Sequence, residues 1–323
     1  MNSSAELTAV FSTVSTATVN NEQLANDLYI RFSMYVAVGV CVWISCTTCI
    51  VIFSSKEFRK KYIIFLALSI GELSNGFSLA ISGAFRMLFM VQGRYFVEIH
   101  SEVCFFATPW PIIMLFAGQF PSFLTLMIAV ERVLAVGFPN WYRYKWKNRH
   151  RIYLIITAFG LTLMCITLAA FLILNNDRTL KWRLCNVSET TGRAYGTIHH
   201  LFTAASYMFS LAVLALISFK MRQGHVPSRD ETRKQKMVLS ITGISVTLVS
   251  LPNIAVVLNE WKTVRFGDMT IGIIYCLFGI HSALSIFVYA TFRPDFRARL
   301  FRMLGIKLKN TAENCTQVKS STG

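Results

Sequence analysis

Residues 131–139 have the sequence Glu131-Arg132-Val133-Leu134-Ala135-Val136-Gly137-Phe138-Pro139. This block places an acid beside a base at the end of a long apolar run. Opposite charges at such a point can hold a closed packing of helices through a short-range ion pair, and an arginine freed on opening can bind an inserted partner helix or peptide C-terminus. The alternative is that Arg132 only extends its charge to a membrane interface, beside a solvated Glu131.

The apolar run before this block is one of seven along the chain. Each has about 20 or more mostly apolar residues, which is the length a helix needs to cross the hydrocarbon core of a bilayer. None has the strict alternation of a barrel strand, so the sequence predicts an all-α membrane protein with a seven-transmembrane helix bundle. The seven runs are 31–54, 62–85, 104–130, 152–174, 197–219, 237–258 and 270–292.

The segments on either side of the bundle complete the domain organisation. The first 30 residues contain no Lys or Arg and lack the apolar core of a cleaved signal peptide, so we expect the first span to act as an uncleaved signal anchor. After Pro294, apolar residues recur at helical spacing with arginines on other faces, which predicts a short amphipathic eighth helix on the membrane surface. The predicted parts are an extracellular segment 1–30, a transmembrane domain 31–292, and a cytoplasmic helix and tail 293–323.

The overall composition favours a membrane protein and excludes other classes. Of the 323 residues, 54% are hydrophobic and 15% are charged, whereas soluble domains carry about 25% charged residues. The 32 Lys and Arg residues outnumber the 16 Asp and Glu residues, but they lie in short blocks between apolar runs, which argues against nucleic-acid binding. P-loop, HExxH and GxSxG motifs do not occur, and no CxxC pair has a partner, so the sequence predicts neither an enzyme nor a metal or cofactor site.

The basic residues predict the orientation in the membrane. With the N-terminus outside, 23 Lys and Arg residues fall in the cytoplasmic segments and nine in the outside segments, where nine acids balance them. This bias follows the positive-inside rule and predicts an N-out, C-in protein of the plasma membrane, whose basic segments contact anionic lipid. The cytoplasmic segments are 55–61, 131–151, 220–236 and 293–323.

Taken in order, the motifs of the spans resemble those of the rhodopsin-like G-protein-coupled receptors over residues 31 to 305. In that family the third helix ends in Asp/Glu-Arg-Tyr, with a proline seven residues after the arginine, and Pro139 has this spacing. Pro252 takes the place of the kink proline in the sixth span. Two further stretches look like the family's Leu-Ala-x-x-Asp-Leu and Asn-Pro-x-x-Tyr motifs, namely Leu68-Ser69-Ile70-Gly71-Glu72-Leu73 and Ser285-Ile286-Phe287-Val288-Tyr289.

The resemblance implies a receptor that signals through a heterotrimeric G protein. The residues placed at the coupling end by these motifs are Glu131, Arg132, Pro139 and Tyr289. Family motifs are missing elsewhere: the sixth span has Ser250 in place of the toggle Trp, and the seventh lacks its Asn-Pro pair. With Trp141-Tyr142-Arg143 after Pro139, the chain looks most like the nematode serpentine chemoreceptors of the Srsx-type group.

This group implies a chemosensory receptor for a small organic ligand. The alternative is a neuropeptide receptor of the same fold, although the neutral outer face offers little attraction for a basic peptide. A channel-forming seven-span receptor of the insect odorant kind has its N-terminus inside, so the charge distribution argues against it.

Two structural features are implied by the resemblance. The family joins Cys104, at the start of the third span, to Cys185 in the second outside loop by a disulfide; the alternative is two free thiols. Glu72 lies near the middle of the bilayer, where a charge costs at least about 2.5–3.5 kcal/mol on insertion scales, so it must face the bundle interior. We expect Glu72, His281 and Ser285 to form a polar core that changes on activation; the alternative is a protonated Glu72 without a switching role. A bound sodium ion is in doubt, because Pro121 replaces a polar residue of the family.

The predicted ligand pocket lies among the outer halves of the third, fifth, sixth and seventh spans. Met114 occupies the position where amine receptors have an aspartate, which argues against a salt bridge to an amine. Because His199 and His200 are adjacent on a helix, we expect at most one of them to face the pocket. For any single candidate the alternative is plain helix packing or lipid contact. The candidates are Trp110, Met114, His199, His200, Thr203, Tyr207, Asn253, Tyr275 and Cys276.

Two sequons lie on the predicted outer side. Asn2-Ser3-Ser4 and Asn186-Val187-Ser188 have the N-glycosylation pattern. In this topology both face the compartment in which glycans are attached. We therefore predict glycosylation of Asn2 and Asn186.

Overall fold

A computed structural model describes the backbone of residues 3–175, 178–223 and 229–306, and side chains within 23–175, 178–221 and 232–306. Asn2 lies outside the described residues. The helices are α1 Ser3–Phe53, α2 Lys56–Val91, α3 Ser101–Ala107, α4 Trp110–Gly137, α5 Pro139–Lys145, α6 Asn148–Leu174, α7 Val187–Thr191, α8 Arg193–Gln223, α9 Arg229–Ser245, α10 Leu251–Glu260, α11 Asp268–Phe292 and α12 Pro294–Met303. Two short strands are β1 Ile99–His100 and β2 Thr179–Leu180.

Seven helical segments in the described part of the chain are long and apolar enough to cross a membrane. They confirm the predicted seven-helix bundle, and α12 follows the last of them as the predicted short eighth helix. Most of these seven helices extend several residues past the predicted apolar runs. The terminal turns of a helix carry polar and charged residues, so the apolar pattern does not include them. The segments are Gln23–Phe53, Lys56–Val91, Trp110–Gly137, Asn148–Leu174, Arg193–Met221, Thr232–Glu260 and Asp268–Phe292.

Prolines determine where several of these helices begin. The third span was predicted to start at residue 104, but α3 ends at Ala107 and α4 begins only at Trp110, after Pro109. Proline has no N–H and disfavours helical conformation in the residue before it, so the continuous helix is interrupted there. In the same way α4 ends at its C-cap residue Phe138, and Pro139 is the first residue of α5. The proline of the 131–139 block thus separates the third spanning helix from the short helix α5.

The sixth spanning helix changes its hydrogen-bond pattern in the middle. Its first half, α9, passes into a π-helical turn at Val246–Ser250, and α10 continues from Leu251. Pro252 is the second residue of α10. A proline cannot donate the hydrogen bond that an α-helix requires, and π-turns commonly appear beside such an interruption. Ser250, in the π-turn, donates a hydrogen bond to the carbonyl of Ala204 on α8, 3.0 Å away.

The end of the bundle that carries the β strands is covered by the loop between α6 and α8. Strands β1 and β2 pair antiparallel, with Ile99 opposite Leu180. The predicted disulfide between Cys104 and Cys185 is confirmed and ties this loop to α3. We call this the disulfide end, and the opposite end, where α4 finishes at residue 137, the Glu131 end.

The interior of the Glu131 end is largely aromatic. Tyr289 of α11 packs edge-on against Phe53 of α1, with ring centroids 5.0 Å apart. Phe296 of α12 is fully buried and lies 5.2 Å from Phe53 and 5.6 Å from Tyr289. This cluster holds the amphipathic helix α12 against the bundle. Outward-facing side chains such as Leu216 and Phe287 are exposed, as expected for surfaces in contact with lipid tails.

Candidate functional site

At the Glu131 end, four side chains form a polar network that we call the inner charge cluster: Glu131, Arg132, Tyr142 and Arg151. The hydroxyl of Tyr142 donates to Glu131 Oε1 at 2.6 Å, and Arg151 Nε donates to the same oxygen at 2.9 Å. Arg132 Nη2 is farther from that oxygen, at 3.9 Å. Glu131 is therefore hydrogen-bonded to side chains of α5 and α6, and the positive charge of Lys234 on α9 also acts on it.

Tyr142 is positioned as a donor within this cluster. Burial raises the pKa of its phenol, and the charge of Glu131 acts in the same direction. The phenol therefore keeps its proton for the carboxylate. Trp146 stacks on the Tyr142 ring at 5.5 Å between centroids, and His150 stacks on Trp146 at 5.1 Å. This column of rings fixes α5 against the start of α6.

The other two predicted coupling residues lie beside the cluster in different roles. Pro139 begins α5 and so brings Tyr142 back toward Glu131. Tyr289 lies in the aromatic interior with Phe53 and Phe296. The sequence motifs pointed to Glu131 and Arg132, but they gave no sign that Tyr142 and Arg151 bind the acid.

The predicted polar core in the middle of the bundle consists of two hydrogen-bonded pairs. Ser285 Oγ donates to Glu72 Oε1 at 2.9 Å and joins α11 to α2. His281 Nε2 lies 2.7 Å from Ser245 Oγ of α9. The Ser245 hydroxyl donates to the carbonyl of Ile241, which makes His281 Nε2 the donor to Ser245. Ser245 was not among the sequence candidates.

Asn75 adds a further link between α2 and α11. Its Nδ2 donates to the carbonyl of Phe278 at 2.8 Å and to Ser282 Oγ at 3.2 Å. Together with the Glu72 and His281 pairs, these bonds connect the second, sixth and seventh spanning helices at one level of the bundle.

A cavity of about 60 Å³ lies between this polar core and the disulfide end. Seven of the nine predicted pocket residues line it together with Glu72 and His281. The cavity also reaches α2 and the covering loop, which were not expected. The lining consists of Glu72, Asn75, Ser78, Leu79, Met114, Ala117, Gly118, Pro121, Val187, His199, His200, Thr203, Tyr207, Val249, Asn253, Tyr275, Phe278, His281 and Ser282.

The expectation that at most one of His199 and His200 faces the pocket is wrong. Both are buried and both line the cavity. His199 turns toward α4, where Gly118 leaves room: a Cβ at that glycine would lie 3.0 Å from the imidazole. His200 turns toward α10 and bonds Asn253 Oδ1 at 2.6 Å. The cavity thus extends around both sides of α8.

Two predicted pocket residues lie elsewhere. Trp110 is fully buried beside the disulfide, and its Nε1 donates to the carbonyl of Cys185 at 3.2 Å. Its ring also packs under the guanidinium of Arg86, which lies 5.6 Å from the centroid. Cys276 is buried in the cluster that contains Tyr35.

Asn186 also differs from its predicted role. Its side chain is 9% exposed, and its Oδ1 accepts a hydrogen bond from Arg86 Nη2 at 2.9 Å. A glycan on this amide needs open space, so the predicted glycosylation of Asn186 disagrees with the folded structure.

The structure combines seven spanning helices, a disulfide-tied loop over a polar cavity, and an acid–arginine cluster at the opposite end. This arrangement indicates a seven-transmembrane receptor rather than an enzyme. Within the described residues, no group of three or more His, Cys, Asp and Glu side chains is placed to hold a metal ion.

The family model described as serpentine type 7TM GPCR chemoreceptor Srsx matches residues 76–304, well over half of the chain. The chain therefore belongs to the Srsx-type serpentine chemoreceptors, as the sequence motifs predicted, and is a multi-pass protein of the plasma membrane. A comparison with curated proteins finds no match. A nematode source stays a prediction.

Proposed function

We propose that this chain is a chemosensory receptor that binds a small organic ligand and signals through a heterotrimeric G protein. The observation that carries the proposal is the cavity beneath the disulfide-tied loop, whose lining comes from the second, third, fifth, sixth and seventh spanning helices. A ligand there touches each helix whose packing must change. It therefore shifts the population between closed and open packings according to its relative affinity for the two.

The polar core gives the ligand a route to the sixth spanning helix. His281 lines the cavity and bonds Ser245, directly before the π-turn at Val246–Ser250. In the proposed mechanism a ligand that displaces His281 weakens this bond. The inner half, α9, then moves relative to α10 about the turn before Pro252. Opening at the Glu131 end exposes Arg132 to the G protein.

The proposed orientation has the N-terminus and the disulfide end outside. The positive-inside bias of the basic residues supports it. The bond between Cys104 and Cys185 also fits, because disulfides persist in the oxidising extracellular compartment.

The size of the cavity favours a small ligand over a neuropeptide. Its volume of about 60 Å³ is small beside the roughly 300–1,000 Å³ of typical pockets for drug-sized ligands. A peptide receptor of this fold would need a larger opening among the outer loops.

The proposed function is tested by a ligand screen in cells that carry a promiscuous G-protein reporter. We expect at least one small organic compound to raise the reporter signal through the intact receptor. Arg132→Ala, at equal surface expression, is the uncoupled control and should lose at least about 90% of the evoked signal, since a lost charged contact of about 1.5–3 kcal/mol corresponds to a factor of ten or more. An undiminished signal in Arg132→Ala would exclude the proposed coupling site.

A second prediction concerns the polar core. Glu72→Gln keeps an acceptor for Ser285 but removes the ionisable group, and Glu72→Asp keeps the carboxyl but withdraws it by one methylene. We expect both variants to change basal or evoked signalling severalfold, because each alters the α2–α11 bond at 2.9 Å. Thr167→Val is the matched control, since this exposed residue bonds only within its own helix. Unchanged basal and evoked signalling in both Glu72 variants would rule out a switching role.

A further inference from the structure

Four buried polar atoms around the cavity have no hydrogen-bonding partner among the described residues: Glu72 Oε2, His199 Nδ1, His200 Nε2 and Thr203 Oγ1. Each of these side chains is at most 5% exposed. An unpaired buried polar group costs about 1–3 kcal/mol, and such groups are uncommon in native proteins. Four of them on one small cavity indicate that its occupant supplies polar groups.

The hydrogen bonds of Asn253 determine what His200 offers to that occupant. Asn253 Nδ2 donates to the carbonyl of Val249 at 2.8 Å, which leaves Oδ1 as its acceptor. His200 Nδ1 lies 2.6 Å from this Oδ1 and must therefore carry the proton. In the neutral ring, Nε2 is then an acceptor without a donor. The nearby hydroxyl of Thr203 can accept or donate.

The charges around the cavity exclude an anion and disfavour a cation. In the described lining no Lys or Arg is present, so nothing balances a negative ligand. The one acid, Glu72, lies seven residues along α2 from Leu79, which places it roughly 10 Å nearer the Glu131 end. A cation bound to Glu72 would leave His200 and Thr203 unpaired. The remaining lining near them is apolar, with Met114, Val249 and Phe278.

We infer that the cavity binds a small neutral organic molecule that donates a hydrogen bond from a hydroxyl group to His200 Nε2. The small cavity favours a compact molecule, and its hydrocarbon part packs on the apolar lining. This inference rests on the proposed function in that the cavity is taken as the ligand site, but it adds the chemical class of the ligand and the atom that selects it.

The test uses aliphatic alcohols beside their ether isomers, which have the same formula and no donor. The full-length chain is purified into lipid nanodiscs, and binding is measured by ligand-detected NMR without G protein. The probes are n-propanol with ethyl methyl ether, n-butanol with methyl propyl ether, and the charged analogues n-butylamine and butyrate. We expect saturable binding of an alcohol about fivefold tighter than its ether, the effect of one neutral hydrogen bond.

Variants at His200 test the assigned atom. His200→Asn places an amide near the position of Nδ1, so it can still donate to Asn253, but it has nothing at the position of Nε2. We expect the alcohol-to-ether preference to fall to about one while ether affinity is retained. His200→Gln, whose side-chain oxygen reaches the position of Nε2, should restore part of the preference. His150→Asn, at a histidine outside the cavity, should leave it unchanged.

Several results would overturn the inference: no binding by any probe, equal binding of alcohols and ethers, tighter binding of n-butylamine or butyrate, or an unchanged preference in His200→Asn.

Failure of the proposed function gives a different result. If an alcohol binds selectively but the reporter stays silent in cells, the signalling proposal fails and the ligand class stands. If other compounds activate the reporter through this cavity without a hydroxyl preference, only the ligand class fails.

Discussion

Replacing Cys104 or Cys185 by serine is expected to remove most of the receptor from the cell surface. The disulfide joins residues 81 positions apart, and closing a loop of that size restricts the unfolded chain by about 4.5 kcal/mol in the chain-entropy model. The net stability of a folded domain is only about 5–15 kcal/mol. Loss of the bond therefore takes away a large fraction of what keeps this end of the bundle folded.

A second effect adds to the entropic one, because the disulfide positions a loop that satisfies a buried charge. Arg86 is 1% exposed, and its guanidinium donates to the carbonyl of Leu184 and to Asn186 Oδ1, the residues on either side of Cys185. Without the bond, this loop is free to leave. Arg86 beside Trp110 then loses both acceptors, and each hydrogen bond of a charged group is worth about 1.5–3 kcal/mol.

The measurement is labelling of an N-terminal epitope tag on intact cells. Cys104→Ser, Cys185→Ser and the double variant should lose surface label to the same extent, since either change breaks the same bond. Cys41→Ser, at a free and exposed cysteine, should keep full label. Normal labelling of either single variant would contradict the stabilising role. A tag detected only after permeabilisation in the unmodified receptor would overturn the proposed orientation.

The sequence predicted the spans well because apolar length alone identifies a membrane helix. It failed where local backbone chemistry interrupts an apolar run. The third run looks continuous from residue 104, yet Pro109 ends α3 and delays α4 to Trp110. The π-turn at Val246–Ser250 was not predicted either, because it depends on how the sixth helix packs around Pro252 rather than on a repeating pattern.

In the candidate site, the position of a residue along its helix was enough to place Glu72 and Ser285 on facing sides of two helices, and the two side chains are hydrogen-bonded. The prediction failed where the partner comes from another helix and carries no motif. Only the packing of helices places Ser245 and Arg151 beside His281 and Glu131. The burial of both His199 and His200 likewise depends on Gly118, on a different helix.

Neutralising Glu131 is expected to raise ligand-independent signalling. In this structure, which the proposed mechanism takes as the closed packing, the buried carboxylate binds Tyr142 at 2.6 Å and Arg151 at 2.9 Å. Arg132 lies 3.9 Å away, and the charge of Lys234 on α9 also acts on it. Glu131→Gln removes the charge that holds two arginines and α5 together, so the closed packing loses a charged hydrogen bond worth about 1.5–3 kcal/mol. If the open packing lacks these contacts, the ratio of open to closed receptor rises by roughly ten- to a hundredfold.

Tyr142→Phe distinguishes this network from a general loss of stability, because it removes one hydroxyl and keeps the stacked ring. It removes the hydrogen bond from this hydroxyl to Glu131 and the one that the hydroxyl accepts from Arg151 at 3.2 Å. The charge of Glu131 and its direct bond to Arg151 stay, so basal signalling should rise as well, but less than in Glu131→Gln. Tyr144→Phe is the matched control: the same change, two residues further along α5, at a side chain that is 75% exposed. Basal reporter activity per receptor at the surface should therefore rank Glu131→Gln above Tyr142→Phe, with Tyr144→Phe equal to the unmodified chain. Equal basal activity in all four receptors would show that the inner charge cluster does not restrain the closed packing.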